Sequence, residues 1–218
     1  MDIREAILNR HSVRSYLDRP LEPEVTEKLQ ETIDRCNEES GLHIQLVLNE
    51  PKAFDSAMAH YGNFSGVTNY LALIGKKGPD LEEKCGYYGE QIVLEAQSLG
   101  LNTCWVALTY KKIPSAFVVD KGEKLSVVIA LGYGATQGKQ HRSIDEVSNF
   151  IDGSPEWFRK GVECALLAPT AVNQQKFFFT LEGDKVSTKA GRAFYTKMDL
   201  GIAKYHFEIG SGRTDIWQ

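Results

Sequence analysis

The stretch YGEQIVLEAQSLGLNTCWVAL, residues 88–108, carries a helix, its stop signal and a strand in one run. Leu81, Cys85, Tyr88, Ile92, Ala96 and Leu99 fall on one helical stripe, so the helix starts upstream of the quoted run. Gly100 is the residue type that ends a helix in a left-handed turn. NTCWVAL then reads as an apolar strand, with Cys104 and Trp105 as core residues because no partner cysteine is near.

The pattern extends in both directions. Ile3, Ala6, Ile7 and Arg10 mark a short first helix, and Leu21 to Asn37 a second, with Pro23 in its first turn and Gly41 as its stop. HIQLVL alternates Ile44, Leu46 and Leu48 as a half-buried strand, and YLALIG is a strand ending at Gly75. AHYGNFSGVTN, between them, reads as a loop. LSVVIALGYG is a continuous apolar run closed by glycines, the pattern of a strand buried on both faces. Residues 135–153 turn polar. Ser154-Pro155 then reads as cap and first turn of a helix with Phe158, Val162 and Ala165 inward; Pro169 ends it. KFFFTL is a strand, EGDKV a tight turn and MDLGIAKYHFE a last helix. Without strict βαβ repetition, the class predicted is α+β.

Composition bounds the function. The chain has 218 residues, 42% hydrophobic and 25% charged, an ordinary globular balance with enough length for one large domain or two small ones. A net charge of −4 argues against nucleic acid or an anionic membrane as the main partner. No run approaches the roughly 20 apolar residues of a membrane helix, and MDIREAILNR is too charged for a signal peptide. The four cysteines form no C-x-x-C pair and the five histidines no H-x-x-x-H pair, so neither a metal site nor a disulfide framework is expected. A reducing, cytoplasmic compartment and a small-molecule partner fit best.

RHSVRSY, residues 10–16, is a basic segment on this mildly acidic chain. Arg10, Ser12 and Arg14 stand at alternate positions, which in an extended backbone points all three to one side, as a clamp for a phosphate. The same residues also suit a solvated helix end facing a C-terminal dipole. GYGATQG, residues 132–138, lacks the G-x-G-x-x-G spacing of a dinucleotide fold.

With its flanks, ILNRHSVRSY resembles the start of FMN-dependent nitroreductases and flavin reductases. In that family a helix runs into R-R-S-x-R-x-F or R-H-S-x-K-x-F, whose side chains hold the FMN phosphate. The match is Arg10, His11, Ser12 and Arg14, with Tyr16 at the aromatic position. YGEQIVLEAQSLGLNTCWVAL resembles the family's central helix and G-L-G-T-C-W ending, with Asn102 in place of glycine. KLSVVIALGYG looks like the strand ending in L-G-Y-P, and HRSIDEV like a segment whose arginine, here Arg142, also reaches the phosphate.

One departure stands out. The family's A-P-S-x-x-N-x-Q-P-W motif, expected near residue 40, is missing there. LLAPTAVNQQKFFF at 166–179 resembles it instead, with Pro169, Thr170, Asn173 and Gln175 matching and Lys176 replacing a proline. Asn173 is also what turn chemistry alone selects. MDLGIAKYHFE resembles a second central helix. The resemblance thus implies a tandem, degenerate duplication, as in the TM nitroreductase subgroup. Residues 1–150 form a nitroreductase-like repeat with the phosphate clamp; residues 151–218 form a shorter repeat completing the flavin site. One chain then mimics the family's dimer, as a monomer or as a homodimer.

The activity implied is ping-pong hydride transfer: NAD(P)H reduces FMN, leaves, and is replaced by a nitroaromatic, quinone or free flavin. The flavin carries the chemistry, so no side-chain nucleophile or general base is expected. The alternatives are a flavin-binding module of the same fold without turnover, or a specialised flavin enzyme such as a reductive dehalogenase.

Overall fold

The computed structural model describes residues 2–135 and 143–218. In chain order it contains α1 (Ile3–Asn9), α2 (Pro23–Ser40), β1 (Gln45–Val47), α3 (Ala57–Tyr61), β2 (Asn69–Lys76), α4 (Leu81–Ser98), β3 (Asn102–Val106) and β4 (Glu123–Gly132). The second half follows with α5 (Glu156–Ala165), β5 (Phe177–Glu182), β6 (Lys185–Ala190) and α6 (Thr196–Ser211). The class is α+β, with antiparallel sheets and flanking helices.

The main sheet runs β1-β2-β4-β3, antiparallel at every step. Its two central strands alternate between two cores. Leu71, Leu73, Val127, Ile129 and Leu131 pack with Leu29 and Ile33 of α2 and Ile92 of α4. Tyr70, Ala72, Ile74, Val128 and Ala130 pack with Val13, Tyr16, Phe54 and Phe64 on the opposite face. Both faces of β2 and β4 are therefore dry, and LSVVIALGYG reads as unbroken apolar sequence for that reason.

Several boundaries differ from the sequence reading: α3 forms at the start of the stretch read as a loop, α6 extends beyond 198–208 at both ends, and two further differences have a clear local cause. The polar residues Glu38, Glu39 and Ser40 continue α2 past Asn37, and Gly41, at φ 69°, is the stop. Ser154 does not cap α5: Pro155 takes the boundary in an extended conformation, and the Ser154 hydroxyl accepts the Ile151 N–H at 3.1 Å.

The second half lays α6 across α4 and α5, beside the separate β5-β6 hairpin. The α4–α6 contact is reciprocal. Gly86 faces the carbonyl of Met198 and the amide of Ile202, while Gly201 faces the carbonyl of Glu83 and the amide of Tyr87. A Cβ on either glycine overlaps backbone of the other helix. On α5, Gly161 accepts the Phe207 ring in the same manner. Phe158, Phe179 and Phe207 are fully buried and join Leu29, Leu73 and Ile92 in one continuous core spanning both halves. Burial of each such ring contributes roughly 1.5–3 kcal/mol.

Gly201→Ala therefore forces two helices apart along backbone that cannot yield. The expected loss is about 3 kcal/mol, read as a lowered midpoint in urea unfolding.

Candidate functional site

β3 is an edge strand, and RHSVRSY runs along it. Val13 N–H donates to the Thr103 carbonyl at 3.0 Å, and Ser12 bridges Thr103 in parallel. The segment is pinned further on by Tyr16 N–H to the Ser65 carbonyl at 3.0 Å. Val13 and Tyr16 turn into the core, whereas Ser12 and Arg14 face outward and are exposed. Because the Thr103 carbonyl points away from β4, the peptide groups of Trp105, two residues on, point to the same open edge.

A cavity of about 540 Å³ opens along this edge, within the usual range for small-molecule sites. Ser12, Arg14 and Cys104 form its cationic corner, with the Arg14 guanidinium 5.9 Å above the Phe64 ring. Trp105, Val106 and Ala107 line the β3 side, and Gly62 to Phe64 come from the loop between α3 and β2. The second half supplies Pro169 to Val172, Phe194, Tyr195 and the first turns of α6, including Asp199. Burial pushes the Cys104 thiol up, while Arg14, Arg10 and a hydrogen bond from Ser12 pull it down, so these three side chains converge on it.

The 169–175 turn is conformationally costly. Val172, Asn173 and Gln175 have φ of 45°, 53° and 46°, a region that disfavours L-residues and above all β-branched ones. Its hydrogen bonds hold it there. Gln175 N–H donates to Thr170 Oγ1 at 3.0 Å and Gln175 Nε2 to the Leu166 carbonyl at 2.6 Å. Ala171 N–H and Gln174 Nε2 donate to the two oxygens of Asp199 at 3.0 and 2.7 Å. Asp199 is buried in the cavity wall, and that burial raises its carboxyl pKa against the lowering by Gln174 and Ala171.

Behind the β3 wall lies an ionic cluster. Glu90 and His206 are fully buried, with His206 Nε2 2.9 Å from Glu90 Oε1. Trp105 Nε1 donates to Glu90 Oε2 at 3.1 Å, and Arg10 Nε stands 3.9 Å from Oε1. Burial lowers the Arg10 pKa, opposed by Glu90 and then Cys104.

Of the residues singled out in the sequence, Ser12, Arg14, Pro169 and Thr170 meet at the cavity. Arg10 sits behind it against Glu90. His11 is half-buried, its Nδ1 3.2 Å from the Asn9 carbonyl. Asn173 is exposed on the turn, and Gln175 lies buried beneath it. Arg142 lies outside the described residues. Asn102, in place of the family glycine, accepts Gly134 N–H at 3.0 Å and ties β3 to the end of β4. Phe194 and Tyr195 carry no motif; Trp105 and Asp199 fall within stretches that resemble family segments but were read there only as core and helix positions.

This cavity on an antiparallel α+β core, with its cationic edge segment, belongs to a chain that comparison with known proteins places in the nitroreductase class of oxidoreductases. The chain belongs to the family described as "Putative TM nitroreductase", whose model matches residues 2–211. It is similar to a "putative nitroreductase" from Thermotoga maritima, with a TM-score of 0.69 at 26% identity over 96% of this chain and 83% of that one. Two further structures share the fold. An "FMN-dependent Nitroreductase" from Clostridium difficile has a TM-score of 0.50 at 17% identity, over 64% of this chain and 92% of that one. A "Putative NADH dehydrogenase/NAD(P)H nitroreductase" from Parabacteroides distasonis has 0.51 at 23%, over 66% and 95%. No curated protein is similar to it at a significant level. Among the described residues, no helix is long and apolar enough to cross a membrane.

Asp199 generates a pH prediction. Its raised pKa means that the folded protein holds the proton in a range where the unfolded chain has released it, so this group makes stability fall as pH rises through that range. Asp199→Asn removes that slope. Chemical denaturation of both proteins between about pH 4 and 7 is expected to show the difference between them changing steadily with pH.

Proposed function

We propose that the chain is an FMN-dependent NAD(P)H oxidoreductase that reduces small oxidants such as nitroaromatics, quinones or free flavins in a ping-pong exchange. The observation that carries this reading is the cavity in which Ser12 and Arg14 of the first half meet Pro169 and Thr170 of the second. The names of the C. difficile and P. distasonis neighbours agree with this cofactor pair.

The residues present fit FMN. Arg14 and Ser12 offer a guanidinium and a hydroxyl at the cavity, and Arg10 keeps a buried Nε with no hydrogen-bond partner among the described residues. That donor set suits a phosphate ester. His11 and Arg142 complete the clamp in this reading. Bound FMN supplies the hydride chemistry. Arg14, steered by Phe64, holds the phosphate end. The edge peptide of Trp105 and the Pro169–Thr170 turn border a flat ring, and Asn173 and Gln175 belong to the turn that sets their position. Leu108, Val172 and Phe194 form an exposed apolar rim that suits a planar oxidant and excludes water around it.

Residues 1–150 and 151–218 are, in this reading, a full repeat and a degenerate second copy. The reciprocal approach of Gly86 and Gly201 supports that, since identical surfaces meeting about a two-fold axis make contacts of this kind. A single chain then forms a complete site, as a monomer or within a homodimer.

Arg14→Ala is expected to weaken FMN binding roughly 10- to 100-fold, the effect of losing one charge-assisted contact. Stoichiometric flavin in the purified variant refutes the clamp. In the parent protein, a flavin absorption spectrum bleached by anaerobic NADH or NADPH is expected.

A further inference from the structure

Glu90 faces an imidazole and a guanidinium through one oxygen. His206 Nε2 is 2.9 Å from Oε1 and Arg10 Nε 3.9 Å from the same atom, while Trp105 occupies Oε2. The other ring nitrogen of His206, Nδ1, is 3.2 Å from the Cys164 carbonyl, so the imidazole is fixed from both sides. Arg10 Nε is left buried and without a hydrogen-bond partner among the described residues, although a carboxylate oxygen lies just beyond its reach. An unpartnered buried guanidinium donor is costly, and the acceptor nearest to it stays 3.9 Å away while His206 and Trp105 hold the two oxygens of its carboxylate.

We propose that His206 is a positioning residue for anion binding: it occupies Glu90 Oε1, keeps Glu90 from closing on Arg10, and so leaves the Arg10 guanidinium available to a phosphate ester at the Ser12–Arg14 corner. This rests on the reading of that corner as the phosphate end of an FMN site. A guanidinium closed on a carboxylate is a neutral pair with two of its donors engaged, and it attracts a further anion less strongly. One held off keeps both charge and donors in surroundings that screen little. Tyr205, the other titratable group facing Glu90, is held neutral by burial and adds no competing charge. His206 is carried on α6 and Arg10 follows α1, so anion recognition by the first half depends on a residue of the second.

The test compares dissociation constants for FMN and riboflavin, which differ only in the phosphate, measured on the full chain by flavin fluorescence. Wild type is expected to prefer FMN. In His206→Leu, FMN affinity falls about tenfold while riboflavin affinity stays within about twofold. His206→Gln, whose amide still donates to Glu90, keeps the preference. His206→Leu/Glu90→Gln, with no carboxylate left to capture Arg10, recovers it. Wild-type preference in His206→Leu overturns the inference alone, as does a double variant as weak for FMN as the single one. If His206→Leu does not fold, Glu90→Gln decides: preference at or above wild type supports the proposal. A tenfold loss there means that Glu90 holds Arg10 in place, and overturns it. Equal affinity of wild type for the two flavins overturns both the inference and the phosphate reading beneath it.

Discussion

Backbone touches backbone where α4 crosses α6, and the site depends on that contact. Gly86 and Gly201 each lie against a carbonyl three residues before the other glycine. With no side chain between the helices, α6 lies close enough for its first turns to reach the edge of β3. Met198, Asp199 and Ile202 thereby enter the cavity wall opposite Ser12 and Arg14. Wider separation of the helices withdraws Asp199, and with it the turn that Asp199 fixes through Ala171 and Gln174. The shape of the binding site is thus a consequence of packing some distance from it.

Much of the fold was legible because its elements obey one period each. Leu29, Ile33 and Cys36 keep helical spacing on α2, and the alternation along β2 and β4 sorts their side chains between two cores. α4 was legible only in part. Its recognised stripe faces the sheet, but α6 covers a second face, against Gly86 and Glu90. A sequence shows one amphipathic stripe per helix; it does not show that a distant segment will cover the polar remainder. Glu90, which looks like a solvated position, is for that reason the buried centre of an ionic cluster.

The cavity residues divide along the same line. Ser12 and Arg14 follow from alternation on an extended segment, and the β3 edge keeps that segment extended. Pro169 and Thr170 came from a motif. The fate of Gln175 did not, because it depends on positive φ at Val172, Asn173 and Gln175 itself, which rotates the side chain beneath the turn. Local preference opposes that backbone, most strongly at Val172, so nothing in the local sequence announces it. Tertiary hydrogen bonds impose it.

Two unfavourable features therefore sit beside one cavity: a turn strained at Val172 and an arginine donor with no acceptor among the described residues. The turn is sustained by Asp199 in the cavity wall, and Glu90, beside the arginine, is hydrogen-bonded by His206 from behind it. Both supporting residues lie on α6, where the seven positions from Asp199 to His206 make about two turns and leave both side chains on the same side of the helix. In the function proposed above, a ligand presenting an anion to Arg10 and a flat surface to the turn relieves the second cost and exploits the first. Strain concentrated where two halves meet, and maintained by one helix that the glycine contact locks in place, is what a preorganised binding site looks like before its ligand is considered.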